Sequence, residues 1–330
     1  MIDDAHGALV WDTLLAGRPL GALALPKVNG RLDLRGISAP SPSSVHNYES
    51  TGGQISALKG LLVFRNCRWN DADFTGASMP SFRFHDCVIE NCIFDRATCS
   101  DWRMWGTTVS SCAFRQADLR GSALGGVDGA KRNAFLNIDF SGADLRRTVY
   151  MSAEMNGCMF ASANIDNVNF EGTSFVNCVF QGRVRGVQFG RHSFRGESLP
   201  PNEMKNVDFR NASLRHTEFR GLDLEDVLWP TDEEHFVVDG FREVLDGLIG
   251  LWSARGDDAA KRLAAYFCVV RKWIGQSQRV GVVSRKDVVE LGGEGAVDDF
   301  LRTVFERGAL VKESECRREA FSRATSGTSG

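Results

Sequence analysis

Nine cysteines and six histidines are the residues of this 330-residue chain best suited to metal binding or nucleophilic chemistry, and their spacing argues against both. No CxxC pair occurs. Cys67, Cys87, Cys92, Cys112, Cys158 and Cys178 instead follow a five-residue rhythm, which is not a ligand spacing. His6, His46, His85, His192, His216 and His235 are scattered, and none lies in a nucleophile or metal motif. Gly292, Gly293 and Gly295 lack the Lys-Ser/Thr sequel of a phosphate-cradling loop. Asp73, Asp118, Asp139, Asp144, Asp208 and Asp223 each directly precede a bulky apolar residue, a position that suits local backbone bonding better than acid–base catalysis. The chain therefore reads as a non-enzyme, with no catalytic residue, metal or cofactor expected.

The elements that position these residues follow from a period of five. Bulky apolar residues occupy every fifth position from Phe64, Trp69, Phe74 and Met79 through Phe94, Phe114 and Leu124. The register resumes from Phe135 through Phe140, Phe160, Phe170 and Phe180, and again from Phe189 through Phe194, Leu199, Met204, Phe209, Leu214, Phe219 and Trp229. A helix would smear such a pattern around its circumference and a straight strand would alternate it between faces, so the chain must turn every five residues. Two positions earlier stands a smaller residue, such as Ala72, Cys87, Cys92 or Ala143, which shares the inward face of the same extended segment. Gly and Asn lie between these pairs, at Asn66, Gly76, Asn91, Gly106, Asn177, Asn211 and Gly221 among others, and tolerate the backbone of a corner. The expected object is a solenoid with one-strand walls and a stacked interior, its core including Phe74, Phe94, Phe114, Phe140, Phe160, Phe180, Phe209 and Phe219. A weaker recurrence at twenty residues points to four walls per turn.

Segments such as Ala72-Asp73-Phe74-Thr75-Gly76, Ala117-Asp118-Leu119-Arg120-Gly121 and Ala212-Ser213-Leu214-Arg215-His216 resemble pentapeptide repeats, over about residues 55–229. The resemblance implies a mainly β fold, a right-handed quadrilateral β-helix; the segment beyond it reads as a small α-helical domain whose order of short helix, turn, longer helix and strand loosely resembles a winged helix-turn-helix. We divide the chain into an N-terminal cap (1–30), the repeat tract (31–229) with a mobile loop at 38–53, a helical C-terminal domain (230–323) and a disordered tail (324–330).

Within the cap, Leu9, Val10, Trp11, Leu14 and Leu15 predict a short helix over the open end. Gly125 to Arg132 predicts a bulge from one corner. Beyond Trp229-Pro230 the spacing turns helical: Phe236, Val237, Phe241, Val244, Leu245, Leu248 and Leu251 mark one helix, and Ala260, Leu263, Ala264, Phe267, Val270, Arg271 and Ile274 a second. Ser284 is placed as the cap of a third helix through Leu291, and Ala296 to Arg307 as a fourth, with a strand at Ala309-Leu310-Val311-Lys312.

Charge then chooses among surface roles. The chain carries a formal charge of −3, and residues 55–229 hold 20 basic and 20 acidic side chains. Several members of the resembled family imitate duplex DNA and bind DNA gyrase or topoisomerase IV, which makes a gyrase-binding DNA mimic one alternative, although a neutral rod imitates DNA poorly. A nucleic-acid-reading or effector C-terminal domain, with the rod as sensor, is another. Asp298, Asp299 and Glu306 on its last helix oppose groove entry, so direct nucleic-acid binding is not expected.

The leading expectation is a cytoplasmic protein-interaction module with an unidentified protein partner and a homodimer contact through the C-terminal domain. No membrane span or secretory signal is read, so no membrane partner is expected. Arg195, Lys205, Arg210, Arg215 and Arg220 form an arginine-rich band in the last repeats, the candidate docking surface for an acidic partner.

Overall fold

The computed structural model describes residues 4–40, 61–129, 131–193, 199–276, 278–307 and 309. The repeat tract is a β-helix with four walls. One wall stacks Leu62–Arg65, Phe82–His85, Arg103–Trp105 and Ala123–Asp128 in parallel, and the next stacks Arg68–Asn70, Val88–Glu90, Thr108–Ser110, Ala134–Leu136, Glu154–Asn156 and Ser174–Val176. The third links by single bridges from Asp73 to Ile93, Ala113, Asp139 and Met159, and continues as the paired strands Met159–Ala161, Val179–Arg185 and Asp208–Arg215; the fourth is a ladder of single bridges from Ser78 to Thr98, Asp118, Asp144 and Asn164. The usual coil is twenty residues, so the thiols of Cys67 and Cys87 meet at 2.9 Å one coil apart. Phe74, Phe94, Phe114, Phe140, Phe160, Phe180 and Phe209 are buried and form a continuous column with centroid spacings between 4.6 and 5.6 Å. Phe219 is buried as well, in a neighbouring stack on Phe189.

Corners take left-handed backbone wherever the coil demands it, and not only at Gly and Asn. Arg96, Gln116 and Arg147 have φ of 56°, 55° and 60°. A side chain with a Cβ pays a steric cost there, which the neighbouring coils hold in place by bonding the corner amide, as Arg96 N–H does to Arg115 O. Asn211, in contrast, is no corner: it lies inside the strand Asp208–Arg215, which pairs with Val179–Arg185 through a register shift between Val179 and Gln181.

From residue 61 onward, two excursions interrupt the coils of the described residues. Gly125 to Arg132 forms a β-hairpin, with Val127 opposite Arg132 and Asp128 opposite Lys131. Gly125 and Gly126 are needed because a Cβ would sit 2.1 Å from the Tyr150 carbonyl carbon and 2.3 Å from Met104 O. Arg132 is buried, donates to Ser152 O at 2.6 Å and Ala153 O at 2.8 Å, and so ties the hairpin to the coil beside it.

The second excursion corrects the third register. Phe189 pairs with Phe219 and Gln188 with Glu218, a coil ten residues longer than the usual twenty. Leu199 is only half-buried, so it marks no inward wall, and Phe194 lies outside the described residues.

At the N-terminal end, helix α1 (Asp4–Leu15) buries Val10, Trp11, Leu14 and Leu15 against the first coils, with Trp11 edge-on to Phe82 at 5.7 Å and its indole N–H on Ser38 O. Leu9, read as part of that apolar stretch, is exposed. Ser38, inside the stretch read as a loop, bridges Ser78; residues 41–60, with the rest of that loop, lie outside the described residues.

The C-terminal region packs helices α2 (Phe241–Arg255), α3 (Asp258–Trp273), α4 (Arg285–Gly292) and α5 (Glu294–Glu306) on an antiparallel pair of strands, His235–Val238 and Gly281–Ser284. Phe236 and Val237 belong to a strand and not to the first helix. That helix starts after Gly240, whose φ of 62° breaks the run, and its buried face is Phe241, Val244, Leu245, Leu248 and Trp252. Leu251 consequently points outward. Asp257 caps α3 by accepting Ala260 N–H, while Ser284 precedes α4 without a side-chain capping bond. The strand read at 309–312 and the tail lie outside the described residues, apart from Ala309, whose carbonyl accepts Asp239 N–H. No helix among the described residues is long and apolar enough to cross a membrane.

Candidate partner-binding surface

The outward aspartates act on their own backbone. Asp73, Asp118, Asp139, Asp144, Asp208 and Asp223 each accept the N–H of the residue two positions on, at 2.9–3.2 Å. In an extended segment residues two apart share a face, so an arginine at that second position also folds back onto the carboxylate. Arg120, Arg146 and Arg210 do so on Asp118, Asp144 and Asp208. These guanidinium hydrogen bonds are the main cause holding the three carboxyls below the ordinary aspartate range.

The arginine-rich band divides into three parts. Arg195 lies outside the described residues. Lys205 and Arg210 are exposed on the coil surface, Arg210 folded onto Asp208 at 2.7 Å. Arg215 and Arg220 instead meet the C-terminal region. Arg215 donates through Nε to Asp287 Oδ1 at 2.5 Å and through Nη2 to Glu290 Oε2 at 2.7 Å, both on α4. The guanidinium of Arg220 lies 4.5 Å from the centroid of the Trp273 ring, at the end of α3, while also pairing with Glu218.

The same junction covers the open edge of the last coils. Inside the solenoid the wall N–H groups donate to the coils on either side, as Phe74 N–H does to Ile93 O and Ile93 N–H to Ala72 O. At this edge three of them donate to side chains of the C-terminal region: Leu214 N–H to His235 Nε2 at 3.0 Å, His216 N–H to Asp287 Oδ2 at 2.6 Å, and Leu222 N–H to Gln278 Oε1 at 3.2 Å. An uncovered edge would invite pairing with another chain, and these acceptors close it. Val237 and Val280 continue the rod's apolar core across the junction.

Of the histidines, His85 stacks on Trp105 at 4.4 Å, and buried His235 sets Nδ1 2.7 Å from Asp232 Oδ1. His216, Asp287 and Glu290 present donor atoms within 4.8 Å of one another, a set that sequence inspection missed. The positive charge there is supplied by Arg215, whose guanidinium bridges both carboxylates. A signal was present in the sequence: Asp287 and Glu290 stand three apart and so share one helical face. Their arginine partner, some seventy residues earlier, left no such mark.

The thiols are core residues. Seven cysteines of the rod are buried, and burial pushes the Cys99 thiol well up; Cys268 on α3 is exposed.

The family model described as pentapeptide repeats matches in eight copies, with residues 203–228 matched. No curated protein matches the chain. Among solved structures, a trypsin-treated variant of QnrB1, a plasmid-mediated fluoroquinolone resistance protein, is 18% identical over 48% of this chain and 88% of its own, with a TM-score of 0.21. HetL, a pentapeptide repeat protein involved in heterocyst differentiation regulation from the cyanobacterium Nostoc, is 14% identical over 63% and 88%, with a TM-score of 0.24. Rfr23, a pentapeptide repeat protein from the cyanobacterium Cyanothece, is 12% identical over 60% and 87%, with a TM-score of 0.17. These superpositions are loose; the fold is carried by the coil registry and the family match. The repeats of this chain are pentapeptide repeats, and they are followed by a C-terminal helical region.

Proposed function

We propose that the protein is a non-enzymatic interaction module whose rigid walls display binding surfaces for a protein partner and whose C-terminal region covers one end of the rod. The observation behind this reading is the Arg215 fork, which already holds two carboxylates across the surface of the last coils. The band is thus chemically equipped for acidic side chains, and Lys205 and Arg210, with Arg195 from the sequence, are the part of it assigned to an external acidic partner. The interior is filled by stacked rings and leaves the outer walls as the place for recognition. Imitation of DNA fits less well, because residues 55–229 carry as many basic as acidic side chains.

The test is affinity capture from native extract with the wild-type chain and a Lys205→Glu/Arg210→Glu variant, with captured proteins identified by mass spectrometry. A protein retained by the first and lost by the second supports the reading. Unchanged capture removes these residues, and gyrase appearing among the captured proteins together with altered supercoiling in its assay would favour the DNA-mimic alternative instead.

A further inference from the structure

Helix α3 turns one side into the C-terminal core through Leu263, Ala264 and Phe267, while Ala265, Cys268, Val269, Lys272 and Trp273 are exposed. Ala265, Val269 and Trp273 are four apart and therefore line up along one face. Val269 is 52% and Trp273 46% exposed, unusual for a valine and a tryptophan side by side. The strip also touches the rod: the Trp273 ring lies 4.5 Å from the Arg220 guanidinium and 5.8 Å from the Lys272 ammonium. Around it stand Lys261, Arg262, Lys272 and Arg220, against the carboxylates Asp258 and Glu218, which pair with Lys261 and Arg220. Lys272 has no carboxylate partner among the described residues. The strip is apolar at its centre and basic at its rim.

We propose that the Val269–Trp273 strip is a docking site for an acidic segment of a partner protein that carries an apolar anchor, such as an amphipathic helix with carboxylates flanking a leucine or aromatic face. The proposal rests on the reading of this protein as an interaction module and places a second surface on it, distinct from Lys205 and Arg210. Charge complementarity selects the occupant. A second copy of this chain packed face to face would set one Lys272 and Arg220 rim against another, whereas carboxylates would meet those cations and the anchor would cover Val269 and the ring.

The experiment titrates a fluorescein-labelled synthetic helix, with Leu and Trp on one face and Glu on the other, into the full-length protein and follows its anisotropy. The same helix with Lys in place of Glu serves as the comparison. Saturable binding of the Glu helix, weakened by salt, is expected. Val269→Ser should weaken it about tenfold through loss of apolar burial, and Lys272→Glu by a similar factor through charge. Both positions are exposed, so thermal melting should match the wild type. Lys205→Glu/Arg210→Glu should leave this binding intact, so failure of the rod surface and failure of this one are separable. Equal binding of the Lys helix, no binding of either helix, or indifference to both α3 substitutions would overturn the proposal. So would loss of the peptide in the rod variant alone, or a concentration-dependent dimer that Val269→Ser abolishes.

Discussion

Replacing Asp287 by Asn should loosen the C-terminal region from the rod while leaving the solenoid folded. Asp287 is 4% exposed and accepts two bonds across the junction, from the Arg215 guanidinium at 2.5 Å and from His216 N–H at 2.6 Å. A hydrogen bond to a charged group contributes about 1.5–3 kcal/mol, and breaking one side of a buried pair costs about 3–5 kcal/mol when the remaining charge is stranded.

Arg215 is not fully stranded, because Glu290 still holds it at 2.7 Å and a quarter of its side chain reaches water. The expected loss for Asp287→Asn is therefore about 2 kcal/mol, below the fully buried limit. Arg215→Gln should cost about the same. Because both changes break one interaction, the double variant should cost well under their sum, with a coupling on the order of 1–2 kcal/mol. Urea unfolding followed by tryptophan fluorescence supplies the energies. Hydrogen exchange supplies the location, since the His216 amide should lose protection in Asp287→Asn while amides of the middle coils, such as Phe160, keep theirs. Additive single and double variants, or a His216 amide as protected as in the wild type, would refute the reasoning.

Three further outcomes test other parts of the structure. Phe180→Ala removes a ring stacked between Phe160 at 4.7 Å and Phe209 at 4.8 Å, and should cost about 3–5 kcal/mol in chemical denaturation; a loss below about 1 kcal/mol would contradict a packed column. The carboxyls of Asp118, Asp144 and Asp208 are held down chiefly by their arginine hydrogen bonds. Their stabilisation is thus present above the unfolded-chain value of about 3.9 and lost as pH falls through the lower folded values. Asp144→Asn should accordingly be less stable than wild type at neutral pH and indistinguishable from it in strong acid, and a gap unchanged with pH in matched unfolding curves would argue otherwise. Native thiol titration should label Cys268 readily and the seven buried rod cysteines only after unfolding, so rapid native labelling of Cys99 or Cys158 would contradict their burial.

Much of the rod was legible in one dimension because its determinants are local. An extended segment alternates its faces, so a bulky residue and a small one two positions earlier must point the same way, and the recurrence of that pair locates the inward face of most walls. The same locality explains why the outward aspartates could be read as backbone acceptors: each acts on an amide only two residues away.

Local logic failed wherever a neighbouring coil or a distant segment decided the outcome. Asn211 carries a corner residue's chemistry, yet pairing with Gln181 keeps it in a strand. Leu199 keeps the period by chance within an enlarged coil. Phe236 sits in phase with the helix that follows, but Gly240 and the partner strand Gly281–Ser284 take it into a sheet.

Spacing alone determined that this chain turns every five residues and stacks its aromatic side chains inside, since strand alternation and corner sterics act between adjacent residues. Only the tertiary structure decided that Arg215 and Arg220 face the chain's own C-terminal region while Lys205 and Arg210 remain exposed. A charge on a repeated wall has the same local surroundings in every coil, and its partner is chosen by whatever folds against that coil.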